Sequence, residues 1–184
     1  MSLQRLFIFV LISLWANLGF GQCPPQSLPY SENFNFNLGC FIVTDGGSST
    51  DTWAQAASGA GTAGGDIDGT GFMEVDSDDA GVGSILDESL TSPYINAGNL
   101  SGTLFLQFDH YFRSLNTSDS VWVEVWDSIS WQRVYSATST IGAFNSPNQQ
   151  QIDITAYAHD SLQVRFRYRD NGSWAWYWLL DNFK

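Results

Sequence analysis

Hydrophobic and polar residues alternate along much of the chain after residue 22. The alternation is strict over residues 121–126 and 164–169, where valine or aromatic residues occupy every second position. A period of two predicts strands with one buried face, because successive side chains of a strand point to opposite sides of the sheet. Residues 104–112 and 149–155 follow the same pattern. Weaker candidates for strands are residues 30–36, 40–44, 72–75, 90–95, 131–135 and 174–180.

The segments between these candidates are rich in Gly, Asn, Ser, Pro and Asp, and none after residue 22 keeps a helical period for three turns. The pattern therefore predicts an all-β protein of about ten short strands, most simply arranged as a two-sheet sandwich. Residues 46–65 differ, because they consist mainly of Gly, Ser, Thr and Ala around Trp53. We expect a long surface loop there, pinned by that tryptophan.

Residues 1–21 have the pattern of a secretory signal peptide. Arg5 is their only charge, residues 6–18 are almost continuously apolar, and small residues lie at positions −3 and −1 of a cut before Gln22. The apolar run falls short of the roughly 20 residues that span a bilayer, which favours cleavage over an uncleaved anchor. We expect a single exported domain at residues 22–184. The sequence ends at residues 181–184, where the pattern indicates the middle of a final strand, so that strand is very short or this is the front of a longer protein.

Export gives the only two cysteines, Cys23 and Cys40, a predicted role. In an oxidising compartment they would form a disulfide that ties the new N-terminus to the domain. The alternative is a pair of unrelated free thiols.

Composition limits the classes of partner. The chain has 184 residues, 43% of them hydrophobic and 14% charged, with a net charge of −12. This balance describes one globular domain and excludes a disordered chain or a coiled coil. The negative charge argues against nucleic acid and anionic membrane surfaces, because their phosphates would be repelled.

The segment from Asp45 to Glu88 carries ten carboxylates and no Lys or Arg. Repulsion at this density is costly unless a cation offsets it. Residues 76–81, with the sequence DSDDAG, resemble part of a calcium loop, since oxygen ligands alternate and a glycine allows the turn. The segment is not an EF-hand, because Ala80 occupies the fifth position of the loop. A different kind of calcium site and a solvated acidic loop both remain open.

Two of the predicted strands carry the candidate ligand-binding residues Trp122, Trp126, Arg165 and Arg167. The two arginines share one strand face with Arg169, which indicates either pairing with acids of a neighbouring strand or binding of a carboxylated or sulfated ligand. The two tryptophans lie opposite the valine face of their strand. Tryptophans are usually buried, but an exposed pair would form a platform on which sugar rings stack.

No distinctive catalytic motif is present: the sequence has no nucleophile elbow, zinc-protease motif, P-loop or dinucleotide-binding glycine motif. A glycosidase needs only two facing carboxylates, which any acidic sequence contains. Because function depends on a specific site, we expect a noncatalytic protein.

Four segments carry a family resemblance in this order: LTSPYI at residues 90–95, LQFDHY at 106–111, VRFRY at 164–168 and WAWYWLLDN at 174–182. With the DDAG turn and the two cysteines, they resemble the MAM-like domains of secreted Bacteroidetes proteins and are similar to choice-of-anchor J and cleaved-adhesin modules. The match covers essentially residues 22–184. It implies a jelly-roll sandwich that serves as a noncatalytic extracellular adhesion or binding module. It also implies a structural calcium ion, held by Glu32, Asp78, Asp79 and Asp181.

The sequence as a whole predicts a noncatalytic recognition module, secreted or at the cell surface and stabilised by calcium. Its expected partner is an extracellular glycan or a surface protein. The alternative is a carbohydrate-binding accessory domain of a larger secreted hydrolase or peptidase.

Overall fold

The computed structural model describes residues 23–115 and 118–184, so the predicted signal peptide lies outside the described residues. These described residues form a short helix, α1 (Ser77–Ala80), a 3-10 turn at Thr155–Tyr157 and twelve strands. These strands are β1 (Gln26–Ser27), β2 (Ile42–Thr44), β3 (Ala54–Ala56), β4 (Phe72–Asp76), β5 (Asp87–Thr91), β6 (Ile95–Asn96), β7 (Phe105–Phe112), β8 (Ser120–Trp126), β9 (Trp131–Ala137), β10 (Asn148–Asp153), β11 (Val164–Arg169) and β12 (Tyr177–Asp181). The predicted all-β class is confirmed. No helix among the described residues is long and apolar enough to span a membrane.

Two antiparallel sheets of five strands face each other. The first sheet has the strand order β10-β7-β12-β4-β3, and the second has the order β2-β5-β11-β8-β9. A short parallel pair of β1 with β6 lies outside both sheets. The predicted two-sheet antiparallel sandwich is therefore confirmed.

The main core fills the space between the sheets. Strand alternation directs Phe108, Phe166 and Trp178 into this space, and each is at most 1% exposed. Their rings meet edge to face, with centroids 5.2 Å apart for Phe108 and Phe166 and 5.9 Å apart for Phe166 and Trp178. Burial of these large rings from both sheets is a main source of the stability of the fold.

A second, smaller cluster covers the outer face of the first sheet. It joins Phe72, Tyr177 and Leu179 of β4 and β12 with Ile67 from the preceding loop and Tyr111 of β7. Strands β4 and β12 are consequently buried on both faces. Strand β11 of the second sheet is different, because buried and partly exposed residues alternate along it. The second sheet therefore keeps an outer face that solvent reaches.

Three segments differ from the sequence prediction. Residues 30–36 form no strand, only an isolated bridge from Glu32 to Phe183, because the backbone turns at Phe34 with φ of 50°. The predicted loop at 46–65 contains β3, and its Trp53 is buried and donates to the carbonyl of Glu88 at 3.3 Å. The last strand begins at Tyr177, because residue 174 has a positive φ of 50°.

The predicted disulfide is present. Cys23 and Cys40 are bonded, with their Cα atoms 5.7 Å apart and a sequence separation of 17. It ties the first described residues to the chain just before β2. Closing a loop of this size in the unfolded chain is worth on the order of 3 kcal/mol of stability.

His110 is a fully buried titratable group of the main core. The indole Nε1 of Trp178 donates to its Nδ1 at 3.2 Å, and the Tyr135 hydroxyl lies 3.2 Å from its Nε2. An indole nitrogen can only donate, so Nδ1 must accept and the proton of the neutral ring is on Nε2. Burial lowers the pKa of His110 to about 4.

We predict that His110 makes the protein less stable in weak acid. Its pKa is about 4 in the folded state, against about 6.5 in an unfolded chain. The contribution of His110 to the free energy of unfolding is thus fully retained above about pH 6.5 and falls as the pH approaches 4, by on the order of 3 kcal/mol. In thermal melts, the melting temperature of the protein should fall relative to that of His110→Gln between pH 6.5 and pH 4, because glutamine does not titrate. Parallel pH curves would contradict this prediction.

Candidate ligand-binding site

The outer face of the second sheet brings all four predicted ligand-binding residues together. Trp122, Trp126, Arg165 and Arg167 lie on it and are partly exposed. They meet because β8 and β11 pair with Trp122 opposite Arg167, and alternation directs Val121, Val123 and Val125 into the core instead. We call this surface the Arg-Trp face, which consists of Asp87, Trp122, Glu124, Trp126, Trp131, Arg133, Arg165, Arg167 and Arg169.

Two carboxylates from neighbouring strands bind the arginine row. Arg165 lies opposite Glu124 of β8, and their nearest nitrogen and oxygen are 2.6 Å apart. Arg167 donates two hydrogen bonds to Asp87 of β5, at 2.6 and 2.7 Å, which raises the pKa of Arg167. The Nε of Arg169 lies 3.4 Å from the same Asp87 carboxylate. The expectation of cross-strand pairing is confirmed for Arg165 and Arg167.

The guanidinium groups also stack on tryptophan rings. The Cζ of Arg133 lies 4.2 Å from the centroid of the Trp122 ring, and those of Arg167 and Arg169 lie 5.2 and 5.6 Å from it. Arg165 lies over Trp131 at 4.3 Å. Such cation-π contacts hold rings and charges in fixed relative positions. The Arg-Trp face is therefore built before any ligand arrives.

Trp131 and Arg133 also belong to this face, although the alternation of the sequence did not predict it. Trp131 pairs with Trp126, and their ring centroids are 5.6 Å apart, while Arg133 pairs with Glu124. The pairing of β8 with β9 shifts register between Val123 and Glu124, so one parity does not describe the whole of β9. The sequence did contain one signal: Trp131 and Arg133 are two residues apart, so they lie on the same face of their strand.

The predicted calcium ligands are not brought together. Asp78 and Asp79 lie in α1, directly after β4, whose residue Asp76 pairs with Tyr177 at the start of β12. Asp181 lies at the other end of β12. The four-residue site with Glu32 is thus not formed, because the length of β12 separates Asp181 from the two α1 carboxylates.

Glu32 lies nearer the Asp181 end, where its backbone bridges to Phe183. Its carboxylate accepts from the backbone N–H groups of Asn33 and Phe34, both at 3.1 Å. Asp181 accepts from the Thr70 hydroxyl at 3.2 Å, and burial raises its pKa to about 7. Within residues 23–115 and 118–184, no three His, Cys, Asp or Glu side chains are grouped so as to hold a metal ion.

One small cavity in the acidic segment has an unsatisfied oxygen. The cavity has a volume of about 90 Å³ and is lined in part by Thr62, Glu74, Asp76 and Asp79. Glu74 is 6% exposed, its Oε1 accepts from the Thr62 backbone N–H at 2.9 Å, and its Oε2 has no hydrogen-bond partner. Burial raises the pKa of both Glu74 and Asp76. Calcium binding stays a prediction, and the unpaired Oε2 of Glu74 makes this cavity its candidate position.

No protein-family model and no curated protein sequence matches the chain. Among solved structures, the K1 cleaved adhesin domain of Lys-gingipain from Porphyromonas gingivalis is similar, with a TM-score of 0.62, 19% identity, and coverage of 84% of this chain and 96% of that one. The K3 domain of the same protein has a TM-score of 0.56 and 14% identity, over 84% of this chain and 96% of that one.

A carbohydrate-binding module, TmCBM61, solved in complex with β-1,4-galactotriose, has a TM-score of 0.50 and 7% identity, over 80% of this chain and 88% of that one. Identities this low show the fold alone. The predicted jelly-roll sandwich is therefore confirmed. The two cleaved adhesin domains agree with the family resemblance in fold, and the family labels themselves stay predictions.

We predict that calcium stabilises the protein through the cavity at Glu74. Sites with few carboxylates bind calcium with a Kd of about 10⁻⁴–10⁻³ M. About 10 mM calcium should then add roughly 1–3 kcal/mol to the free energy of unfolding, at about 2–4 °C of melting temperature per kcal/mol. Melting curves in calcium and in excess chelator measure the shift.

Glu74→Gln should abolish the calcium-dependent shift, because it removes the charge beside the unpaired oxygen. Asp160→Asn, which changes an exposed carboxylate on another loop, should leave the shift unchanged. Loss of the shift in Asp181→Asn but not in Glu74→Gln would place the ion at the other end of β12. Identical curves in calcium and chelator would contradict calcium binding altogether.

Proposed function

We propose that the protein is a noncatalytic recognition module that binds an extracellular glycan through the Arg-Trp face. The observation that carries this proposal is the placement of Trp122, Trp126 and Trp131 outside the core, together on one partly exposed sheet face. Large aromatic rings are normally buried, so three of them together on a surface indicate a binding site.

The chemistry of the face suits a sugar. The apolar faces of sugar rings stack on indole rings, and the fixed N–H groups of guanidinium side chains donate to ring substituents. Trp126 is the most suitable platform, because the Trp122 and Trp131 rings already contact arginines.

The structural neighbours support a role outside the cell. Two of them are cleaved adhesin domains, and a third was solved with a galactotriose bound. The disulfide between Cys23 and Cys40 is the kind of cross-link that persists in oxidising compartments. We therefore favour a secreted or cell-surface adhesion module, with an accessory domain of a larger hydrolase or peptidase as the alternative. A catalytic domain encoded after Lys184 would support that alternative.

We predict that Trp126→Ala weakens retention on a bound polysaccharide by about tenfold or more, as expected for an aromatic residue at the centre of a binding surface. A glycan array identifies the polysaccharide, and affinity electrophoresis measures the loss. The melting temperature should change little, because Trp126 is only partly buried. Trp178→Ala, in the core, should instead cost roughly 3–5 kcal/mol.

Trp174→Ala is the matched control. Trp174 is 44% exposed but precedes β12 of the first sheet, so its removal should leave retention unchanged. Equal losses of retention in Trp126→Ala and Trp174→Ala would argue against the Arg-Trp face. A fall in stability for Trp126→Ala as large as that for Trp178→Ala would do the same.

A further inference from the structure

We infer that the Arg-Trp face selects glycans that carry carboxylate or sulfate groups, and that Arg133 and Arg169 contact those groups. This inference rests on the proposed function and specifies its ligand class. It also assigns the charged contacts to two arginines different from those that sequence analysis selected, Arg165 and Arg167.

Arg165 and Arg167 are each already paired with a carboxylate of a neighbouring strand. Arg165 contacts Glu124 through Nε at 2.8 Å and through a terminal nitrogen at 2.6 Å. Arg167 holds both oxygens of Asp87. A carboxylate bound in this way offsets the charge of its guanidinium group, so less net charge is left to attract an anionic ligand. We therefore assign Arg165 and Arg167 to building the face.

Arg133 and Arg169 carry positive charge that is less fully offset by carboxylates. Arg133 is exposed, and no salt bridge within the described part of the chain includes it. The Arg169 side chain is 39% exposed and only shares Asp87, at 3.4 Å, with Arg167. Both guanidinium groups lie over the same Trp122 ring, at 4.2 and 5.6 Å. A single short oligosaccharide can contact both.

The Arg-Trp face has a net positive charge. Four of the six arginines of the sequence lie on it, with two carboxylates, Asp87 and Glu124, so the face has an excess of two positive charges on a protein of net charge −12. A neutral sugar would not neutralise these two positive charges. Planar guanidinium groups match carboxylate and sulfate oxygens with paired hydrogen bonds. Repulsion from the rest of the protein is screened beyond about 8 Å at physiological salt.

Matched polysaccharide pairs test the inference. Polygalacturonate is compared with its methyl ester, and dextran sulfate with dextran, because each pair shares a backbone and differs in charge. We expect the acidic member of at least one pair to bind at least tenfold more tightly than its neutral counterpart. Its affinity should fall steeply as salt is raised, because the contacts are between exposed charges.

Single substitutions assign the contact. Arg133→Gln and Arg169→Gln should each lower affinity for the acidic polysaccharide at least fivefold and reduce the salt dependence, while the melting temperature stays close to that of the parent. Arg113→Gln is the matched control, since Arg113 stacks on Trp176 beside the first sheet, 4.1 Å from its ring. Arg133→Lys keeps the charge but loses the planar group, and should restore part of the affinity.

The possible outcomes separate the two claims. Equal binding of acidic and neutral members, still lost in Trp126→Ala, would overturn the anionic ligand class and leave the proposed function standing. Preference for the acidic members that survives in Arg133→Gln and Arg169→Gln would overturn the assigned contacts. Absence of binding to every glycan, acidic or neutral, would overturn the proposed function and this inference together.

Discussion

The strict alternation of strand β11 is the constraint on which both the core and the candidate site depend. Phe166 and Tyr168 point inward and are fully buried, and the Phe166 ring contacts Phe108 of the opposite sheet. The same period places Arg165 and Arg167 outside. A slip of one residue would exchange the two sets and bury guanidinium groups between the sheets, so the packing of the core fixes the position of the arginine row.

This arrangement brings the positive charges of the arginine row close together along the centre of a sheet. The flanking strands provide carboxylates that offset the repulsion. Glu124 of β8 and Asp87 of β5 each neutralise one arginine of the row. Partly exposed ion pairs add little net stability, so their main effect is to orient the side chains. The charges left over, on Arg133 and Arg169, lie over the Trp122 ring. Folding and the proposed recognition thus use one network.

The sequence predicted the parts of this account that depend on period alone. Strands β8 and β11 follow from alternation, which also places Trp122 and Arg167 each opposite the valine or core face of its own strand. The pairing of the two strands, which joins these residues on one face, is seen only in the structure. The place of Arg133 did not follow from alternation, because the irregular pairing of β8 with β9 changes the parity along the edge strand. The calcium set failed for a different reason: charge density along the chain does not reveal that Asp78 and Asp181 lie at opposite ends of β12.

The most direct test of the account observes the tryptophans themselves. Each indole N–H gives its own signal in a nitrogen-proton correlation spectrum, and a titration with a short oligogalacturonate shows which signals move. The account predicts shifts for Trp122, Trp126 and Trp131 on the Arg-Trp face, while the buried Trp53 and Trp178 stay unchanged. Ligand-dependent shifts confined to tryptophans away from this face would contradict it.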